Sequence, residues 1–224
     1  MGAQCCGNNY NVLGEEFVKR VINDESLRLK TFDYMRLLND IANIRVQQEI
    51  YKVHIDEFLI PKFYKENANS EFQIYIKSIF DYIISQLNEK NNMYVVLMYF
   101  YVFINHNNEK VDENLFSIFR YIALNLTVED LRFWLTKYIT FCTKGITFTI
   151  WQKCNDTSVS QALDDLNTNV YSEQNIKKLV SHLLKNIEKE GEKSVVKIEQ
   201  FKEICKNCDL STFEGISSAI HGVI

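Results

Sequence analysis

The sequence predicts an all-α protein, and two observations support this prediction. Only one proline, Pro61, and seven glycines occur among 224 residues, so few positions interrupt a helix or allow a tight hairpin. Apolar residues also recur three or four positions apart along most of the chain, which is the spacing of an amphipathic helix. Because 46% of the residues are hydrophobic, the chain can bury one large core or two modest ones.

The apolar spacing places the predicted helices in order along the chain. The helical spacing of apolar residues begins at Asn11, continues through Val21 and is found again over residues 34–44. Further helices are predicted over 72–88, 92–104, 113–124, 128–142, 173–188 and 198–206. Thr127 is a predicted N-cap, and Asp130 stands at the capping-box position where glutamate is more usual.

Charge and apolar runs exclude several classes of protein. The formal net charge of −4 gives no long-range attraction to nucleic acid, so no nucleic-acid partner is predicted. Residues 1–20 lack the apolar region of a secretory signal. The most apolar run, 94–104, is shorter than the roughly 20 residues that a membrane-spanning helix needs, so it predicts a buried helix.

Lysines gather near the end of the sequence. Between Lys177 and Lys206 there are eight lysines and five glutamates, with His182 among them. Such a run is typical of a solvated helix face with ion pairs between residues i and i+4. The alternative is a patch that contacts anionic lipid or an acidic partner.

Candidate catalytic and metal sites are few. The spacing Cys205-x-x-Cys208 could ligate zinc or form a redox pair, but Cys142 and Cys154 lack a matching spacing. Small buried thiols are the prediction. Adjacent carboxylates such as Glu15 and Glu16 point in different directions on a helix, and no phosphate loop, nucleophile elbow or HExxH motif occurs. We therefore predict no enzymatic activity.

One short segment recurs at the start of several helices. The segment consists of an apolar residue, any residue, a second apolar residue, two residues of any kind and an aromatic residue. Copies lie at 27–32, 53–58, 146–151 and 196–201, and a looser copy lies at 111–116. This pattern resembles the second half of an EF-hand, which implies that the first apolar residue pairs with a neighbouring loop, as Val111 and Ile146 would. The resemblance also implies that the aromatics pack the bundle or line a partner groove: Phe32, Phe58, Phe116, Trp151 and Phe201.

The EF-hand-like segments lack the usual calcium ligands. A calcium-binding loop needs oxygen ligands at positions 1, 3 and 5, a glycine at 6 and a bidentate glutamate at 12. Only Glu57 supplies position 12, and its loop offers no carboxylates at the earlier positions. Weak candidates without the required spacing are Asn105, Asn107, Glu109 and Asp112. We predict no metal and no other cofactor.

Several features together resemble one known group of proteins. The Met-Gly start, the EF-hand-like segments and the closing stretch 196–220 are similar to the amino-terminal helical half of TLDc-domain proteins, whose lysosome-associated members begin Met-Gly. Residues 27–38 and 53–58 stand in the order that this resemblance implies. The chain stops at Ile224, where a TLDc domain would begin, so no role of that domain is carried over. Neuronal-calcium-sensor or calcineurin-B-like ancestry implies nearly the same features.

The first six residues, MGAQCC, indicate lipid attachment. The usual N-myristoylation pattern is M-G-x-x-x-[ST], and here Cys6 occupies the last position. One myristoyl chain binds a membrane only marginally, and residues 3–14 contain no Lys or Arg to assist it. Palmitoylation of Cys5 and Cys6 would supply the second lipid, so we expect acylation of Gly2, Cys5 and Cys6.

These observations predict both an organisation and a function. We expect a flexible acylated leader over 1–11 and an EF-hand-like bundle in two lobes, 12–125 and 126–224, with a polar connection at about 152–172. The predicted function is a non-catalytic adaptor that holds a protein partner, such as an amphipathic helix, at the cytosolic face of a plasma, ciliary or endolysosomal membrane. The alternatives are a calcium sensor or calcineurin-B-like regulator with an unorthodox loop, and a thiol or zinc protein.

Overall fold

The computed structural model describes residues 4–23, 34–44, 50–63, 72–103 and 110–224. Helices dominate this part of the chain, which confirms the all-α class. They are α1 (Gln4–Ile22), α2 (Tyr34–Ile44), α3 (Lys52–His54), α4 (Ile60–Phe63), α5 (Gln73–Gln86), α6 (Met93–Phe100), α7 (Val111–Ile122), α8 (Val128–Thr140), α9 (Ile146–Trp151), α10 (Thr157–Asp165), α11 (Glu173–Leu184), α12 (Ile198–Asn207) and α13 (Phe213–His221).

Shorter elements join some of these helices. Single π-helical segments, Ile55–Leu59, Phe141–Gly145 and Leu166–Val170, follow α3, α8 and α10. The segments Tyr101–Phe103 and Glu188–Glu190 are 3-10 helices. Two short strands, β1 (Ile50–Tyr51) and β2 (Lys90–Asn91), form one antiparallel pair.

Seven helices lie where the apolar spacing predicts them, namely α2, α5, α6, α7, α8, α11 and α12, and α1 covers the spacing predicted from Asn11 through Val21. The predicted cap of α8 is also confirmed. The Thr127 hydroxyl accepts a hydrogen bond from the Asp130 backbone N–H at 3.1 Å, and the Asp130 carboxylate accepts one from the Thr127 N–H at 3.1 Å. This reciprocal box satisfies two backbone donors that the first turn would otherwise leave unpaired.

Helix α1 begins at Gln4, so the part of the predicted leader that the structure describes has a helical backbone. The later half of α1 is fixed by burial of Val18, Val21 and Ile22. Once such a segment is helical, each preceding residue adds one backbone hydrogen bond at little further cost. A polar composition therefore did not prevent the helix from extending toward the N-terminus.

The predicted polar connection over 152–172 is also largely helical. Helix α10 begins after Asp156, whose carboxylate accepts a hydrogen bond from the Val159 N–H at 3.0 Å. Val159, Ala162 and Leu166 lie three or four positions apart and are buried. The segment has few large apolar residues because one of its buried positions is an alanine, which allows a partner helix to approach closely.

Backbone pairing brings together two loops that precede helices α8 and α12. Thr127 and Val195 form an antiparallel bridge, flanked by hydrogen bonds from Val196 N–H to Leu126 C=O at 2.9 Å and from Val128 N–H to Ser194 C=O at 3.1 Å. This contact differs from the one that the repeated segments predict.

The expected pairing of Val111 with Ile146 is wrong. Val111 is the first residue of α7, and Ile146 is the first residue of α9. Helix α9 follows directly on the π-helical segment after α8, so residues 128–151 are helical without interruption. Since Ile146 lies within this helical stretch, its backbone hydrogen bonds are local and cannot join a strand pair.

One cluster of buried hydrophobic residues extends from Val18 in α1 to Ile220 in α13. Around it α7 packs on α12, α8 packs on α11, and α1 packs on α10. The predicted lobe boundary at 125/126 lies between α7 and α8. The two predicted lobes therefore contribute side chains to the same core.

Helix α1 approaches α10 most closely at Gly14. A Cβ atom at this position would lie 2.7 Å from Leu166 Cδ1 and 3.1 Å from the Ala162 carbonyl oxygen. Both distances are shorter than van der Waals contact. Glycine is required here by the neighbouring helix, since a larger side chain would push the two helices apart.

We expect Gly14→Ala to destabilise the protein by about 1–3 kcal/mol through overpacking, although alanine favours the helix itself. Gly222→Ala is the matched control, because a Cβ there meets its nearest atom at 3.4 Å. Urea unfolding monitored by circular dichroism measures both variants. Equal stability of the two variants would contradict the close packing of α1 on α10.

Candidate functional site

Two of the predicted lipidation residues, Cys5 and Cys6, lie in the first turn of α1. Gly2 lies outside the described residues, and Cys5 and Cys6 belong to the helical backbone of Gln4–Ile22. Lipids on these residues would therefore be connected directly to α1. The way in which α1 is attached to the rest of the chain determines what such an anchor would hold.

Aromatic contacts fix one side of α1. The Phe17 ring meets the edges of Phe72 and Tyr75, with ring centroids 5.9 and 5.5 Å apart. The Arg20 guanidinium lies over the Phe72 ring, 5.3 Å from its centroid. These contacts join α1 to the start of α5, and each aromatic pair adds about 0.5–1.5 kcal/mol beyond its buried area.

A polar cluster fixes the other side of α1 to the end of the chain. The Glu15 carboxylate accepts hydrogen bonds from the hydroxyls of Tyr171, at 3.2 Å, and of Ser217. The same carboxylate oxygen lies 2.7 Å from His221 Nε2. We call Glu15, Tyr171, Ser217 and His221 the Glu15 cluster. It connects α1 with α13 over 206 positions of sequence.

Burial determines the chemistry of the Glu15 cluster. Burial and the neighbouring Glu15 raise the pKa of Tyr171 well above its usual range, so Tyr171 remains a neutral hydroxyl donor. Ser217 is only 2% exposed and is hydrogen-bonded to Glu15 and Tyr171, not to the histidine. Because Ser217 is almost fully buried, its hydroxyl is not accessible to a substrate from solvent. The cluster is suited to holding α1 in place.

Glu16, the neighbour of Glu15, points away from the cluster. Its carboxylate lies 2.7 Å from Lys19 Nζ on the exposed side of α1. The expectation that these adjacent carboxylates face different directions is therefore confirmed. No local pattern in the sequence could have shown that Glu15 meets two residues of α13, because the signal lies in tertiary packing alone.

A groove of about 760 Å³ lies between α7 and the residues that lead into α12. Phe116 and Leu126 are its buried residues on the side of α7. Leu124 is 88% exposed and Val195 is 58% exposed, and both line the groove. We call this surface the α7–α12 groove. The groove therefore leaves apolar area exposed to solvent.

Charged side chains also line the α7–α12 groove. Lys202 Nζ lies 2.8 Å from the Glu113 carboxylate, and this hydrogen bond lowers the pKa of Glu113 and raises the pKa of Lys202. Arg120 and Lys197 add two cations, and Glu199 adds one further carboxylate. With Lys202 and Glu113 neutralising each other, the lining keeps a small excess of positive charge.

Of the four predicted aromatics that the structure describes, Phe116 and Phe201 lie together. Phe116 and Phe201 have ring centroids 5.4 Å apart where α7 packs on α12. Phe58 is half-exposed and its ring lies 6.1 Å from that of His54. Trp151 stacks on Phe148 at 5.6 Å in α9, and Phe32 lies outside the described residues.

The weak calcium candidates cannot be assessed as a set. Asn105, Asn107 and Glu109 lie outside the described residues, and Asp112 is in the first turn of α7. Across the described ranges, no group of three or more His, Cys, Asp or Glu side chains is arranged to hold a metal ion.

Cys142 and Cys208 are buried, and Cys205 is half-buried. Burial raises the pKa of the Cys208 thiol to about 12 and also raises the pKa of Cys142 and Cys205. A thiol reacts and ligates metal as the thiolate, so these three are poorly suited to redox or zinc chemistry near neutral pH. This agrees with the prediction of small buried thiols.

Comparisons with protein-family models, curated proteins and solved structures found no match to this chain. Within the described ranges, no helix has the length and apolar character needed to cross a membrane.

We expect Glu15→Gln to destabilise the protein by about 1–3 kcal/mol, because the amide replaces a charged acceptor of several hydrogen bonds. Glu16→Gln removes the same charge from an exposed carboxylate and should change stability by less than about 0.5 kcal/mol. Thermal and urea unfolding of the two variants measure the difference. Similar effects would show that the Glu15 cluster does not hold α1.

Proposed function

We propose that this chain is a non-catalytic, lipid-anchored adaptor that holds a protein partner at the cytosolic face of a membrane. The observation that carries the proposal is that α1, which contains Cys5 and Cys6, packs into the common core. Lipids attached at its N-terminal end would therefore hold the whole helical body at the membrane. A lipidated peptide joined by a loose linker would not constrain the body in this way.

The anchor would consist of a myristoyl chain on Gly2 and palmitoyl chains on Cys5 and Cys6. Each buried CH₂ contributes about 0.8 kcal/mol, and two acyl chains convert marginal binding into stable attachment. Residues 3–14 carry no Lys or Arg, so the second signal within this segment would be the thioester-linked lipid. A thioester can also be removed, which would make the attachment reversible.

We propose further that the bundle is EF-hand-like, of the kind found in the helical half of TLDc-domain proteins. Helices α7 and α8 form one helix–loop–helix unit, and α11 and α12 form another. Their loops pair through Thr127 and Val195, α7 packs on α12, and α8 packs on α11. This loop pairing supports the EF-hand-like proposal, although it uses other residues than the sequence repeat indicated.

The partner surface in this proposal is the α7–α12 groove. Leu124 and Val195 expose apolar area that a partner would cover, and Phe116 lies beneath them. Burying one such leucine contributes about 1.5–3 kcal/mol. The exposed apolar residues of the groove would contact the apolar face of an amphipathic helix, and Arg120 and Lys197 favour acidic residues beside that face.

Acylation is tested first by membrane fractionation of cells that express the intact chain, Gly2→Ala or Cys5→Ser with Cys6→Ser. We expect the intact chain in the membrane fraction and both variants largely in the soluble fraction. The double cysteine variant keeps only the marginally binding myristoyl chain, and Gly2→Ala removes the lipid that would first bring the cysteines to the membrane where they are acylated. Cys154→Ser is the matched cysteine control and should fractionate like the intact chain. Membrane association that survives both sets of substitutions would refute the acyl anchor.

The α7–α12 groove is tested with a fluorescent synthetic amphipathic helix that carries leucines on one face and glutamates beside them. Leu124→Asp should weaken its binding roughly tenfold or more, since an exposed leucine contact is lost and a like charge is added. Ile74→Asp alters a half-exposed apolar residue on α5 and should leave binding unchanged. Equal effects in an anisotropy titration would place the partner surface elsewhere.

A further inference from the structure

We propose that the outward face of α11 binds the surface of an anionic phospholipid membrane and thereby sets the orientation of the anchored chain. We call Lys177, Lys178 and Lys185 the lysine face. This inference deepens the proposed function, because it concerns how the body sits on the membrane to which the acyl groups attach it.

The lysine face accounts for the charge imbalance of the C-terminal part of the sequence. Residues 177–185 include three lysines and no carboxylate, whereas lysines and glutamates are equal in number over 186–206. The chain as a whole has a formal net charge of −4. The lysine face is therefore a local concentration of positive charge on an acidic protein. A negatively charged surface would be attracted to this face.

These lysines are not neutralised by neighbouring acids. Lys177 Nζ lies 3.9 Å from Glu173, and both side chains are about three-quarters exposed, so the pair is screened by water. Within the described part of the chain, no carboxylate lies within ion-pair distance of Lys178 or Lys185. The expected series of i,i+4 ion pairs is therefore limited on α11 to one long contact.

Three acids follow α11 at positions 188, 190 and 192. Two of them have another partner, and Glu190 makes no ion pair with Lys185 within the described part of the chain. Glu188 lies 3.0 Å and Glu192 lies 3.8 Å from the Arg132 guanidinium of α8. These two contacts direct the carboxylates toward α8. The positive charge of Lys185 consequently remains available to an external anion.

The lysine face is presented by a firmly held helix. The Ser172 side chain accepts a hydrogen bond from the Asn175 N–H at the start of α11. The inner face of the helix is buried, through Ile176, Leu179, Val180, Leu183 and Leu184, and α11 packs on α8 and α13. The lysines are thus attached to a rigid surface, and little backbone entropy is lost when that surface meets a membrane.

The lysine face and the acylated helix are joined through the last turn of α13. His221 lies 2.7 Å from Glu15 of α1. Two residues later, Val223 lines a groove together with His182 and Leu183 of α11. Helix α13 therefore contacts both the helix that carries the acylation sites and the helix that carries the lysine face.

Because α13 connects the lysine face with the acylated helix, we favour lipid, and not an acidic protein, as the partner of the lysine face. Acyl groups would hold the body beside the membrane, so the lysines would meet lipid head groups at a high effective concentration. A cytoplasmic leaflet is negatively charged, and its attraction extends over about 8 Å at physiological salt. The acyl chains fix one point of attachment at the end of α1, and the lysine face would add a second point of contact that selects which side of the body faces the membrane.

The test uses the unacylated full-length chain and sedimentation with vesicles. One set of vesicles contains phosphatidylcholine only, and the other contains about 30% phosphatidylserine. Lys178→Glu with Lys185→Glu removes the lysine face. Lys77→Glu with Lys153→Glu is the matched control, because both residues are exposed, lie on other elements and change the net charge by the same amount. Circular dichroism checks that both variants are folded.

We expect the unaltered chain to bind the anionic vesicles at low salt and to leave neutral vesicles unbound. The Lys178/Lys185 variant should bind roughly 30-fold more weakly, whereas the control should stay within about twofold of the unaltered chain. Equal losses in both variants would show a net-charge effect and overturn the proposal. Binding to polyglutamate but not to anionic vesicles would also overturn it, in favour of an acidic protein partner.

The result is independent of the test of acylation. The vesicle assay contains no acyl group, so its failure leaves the proposed anchor at Gly2, Cys5 and Cys6 unaffected. Soluble behaviour of the intact chain in cells would refute the anchor but would not change the affinity of the lysine face for anionic vesicles.

Discussion

The packing of α1 against α10 is the contact on which the rest of this structure depends. It joins the beginning of the chain to a segment about 150 positions later, at a point where Gly14 and Ala162 leave room for two backbones to approach. Contacts between such distant segments carry a large loop-closure cost and must be supported by burial. The aromatic contacts of Phe17 and the Glu15 cluster provide that support from two sides of the same helix.

This contact also connects the stability of the fold with its proposed function. If α1 were detached, lipids at Cys5 and Cys6 would hold a flexible strand, and the body could rotate freely beside the membrane. With α1 packed into the core, the positions of the α7–α12 groove and the lysine face relative to the anchor are fixed. A membrane adaptor needs this rigidity, because its partner must meet a surface with a defined direction.

The two proposed surfaces differ in their chemistry. The α7–α12 groove exposes Leu124 and Val195, which gain free energy when a partner removes them from water. The lysine face has exposed ammonium groups, whose attraction depends on salt and falls within a Debye length. One chain could therefore hold a protein partner through apolar burial and a membrane through charge, without the two competing for the same residues.

Much of the secondary structure could be predicted from local pattern. Most helices lie where apolar residues recur at helical spacing, and the Thr127–Asp130 box begins α8 as its residues suggest. Prediction failed for α10, because Ala162 occupies a core position without the large side chain that signals burial. It also failed for Val111 and Ile146, because the sequence does not show that α8 continues through a π turn into α9.

The sequence by itself determined the all-α class, the positions of most helices and the MGAQCC pattern at the start of the chain. Each of these depends on residues a few positions apart, since helical hydrogen bonds and modification motifs are local. Only the tertiary structure decided that Glu15 contacts Ser217 and His221. It also decided that Leu124 and Phe116 line the same groove, and that Glu188 pairs with Arg132. These facts depend on which helix faces lie against each other, and side-chain packing between distant segments settles that choice.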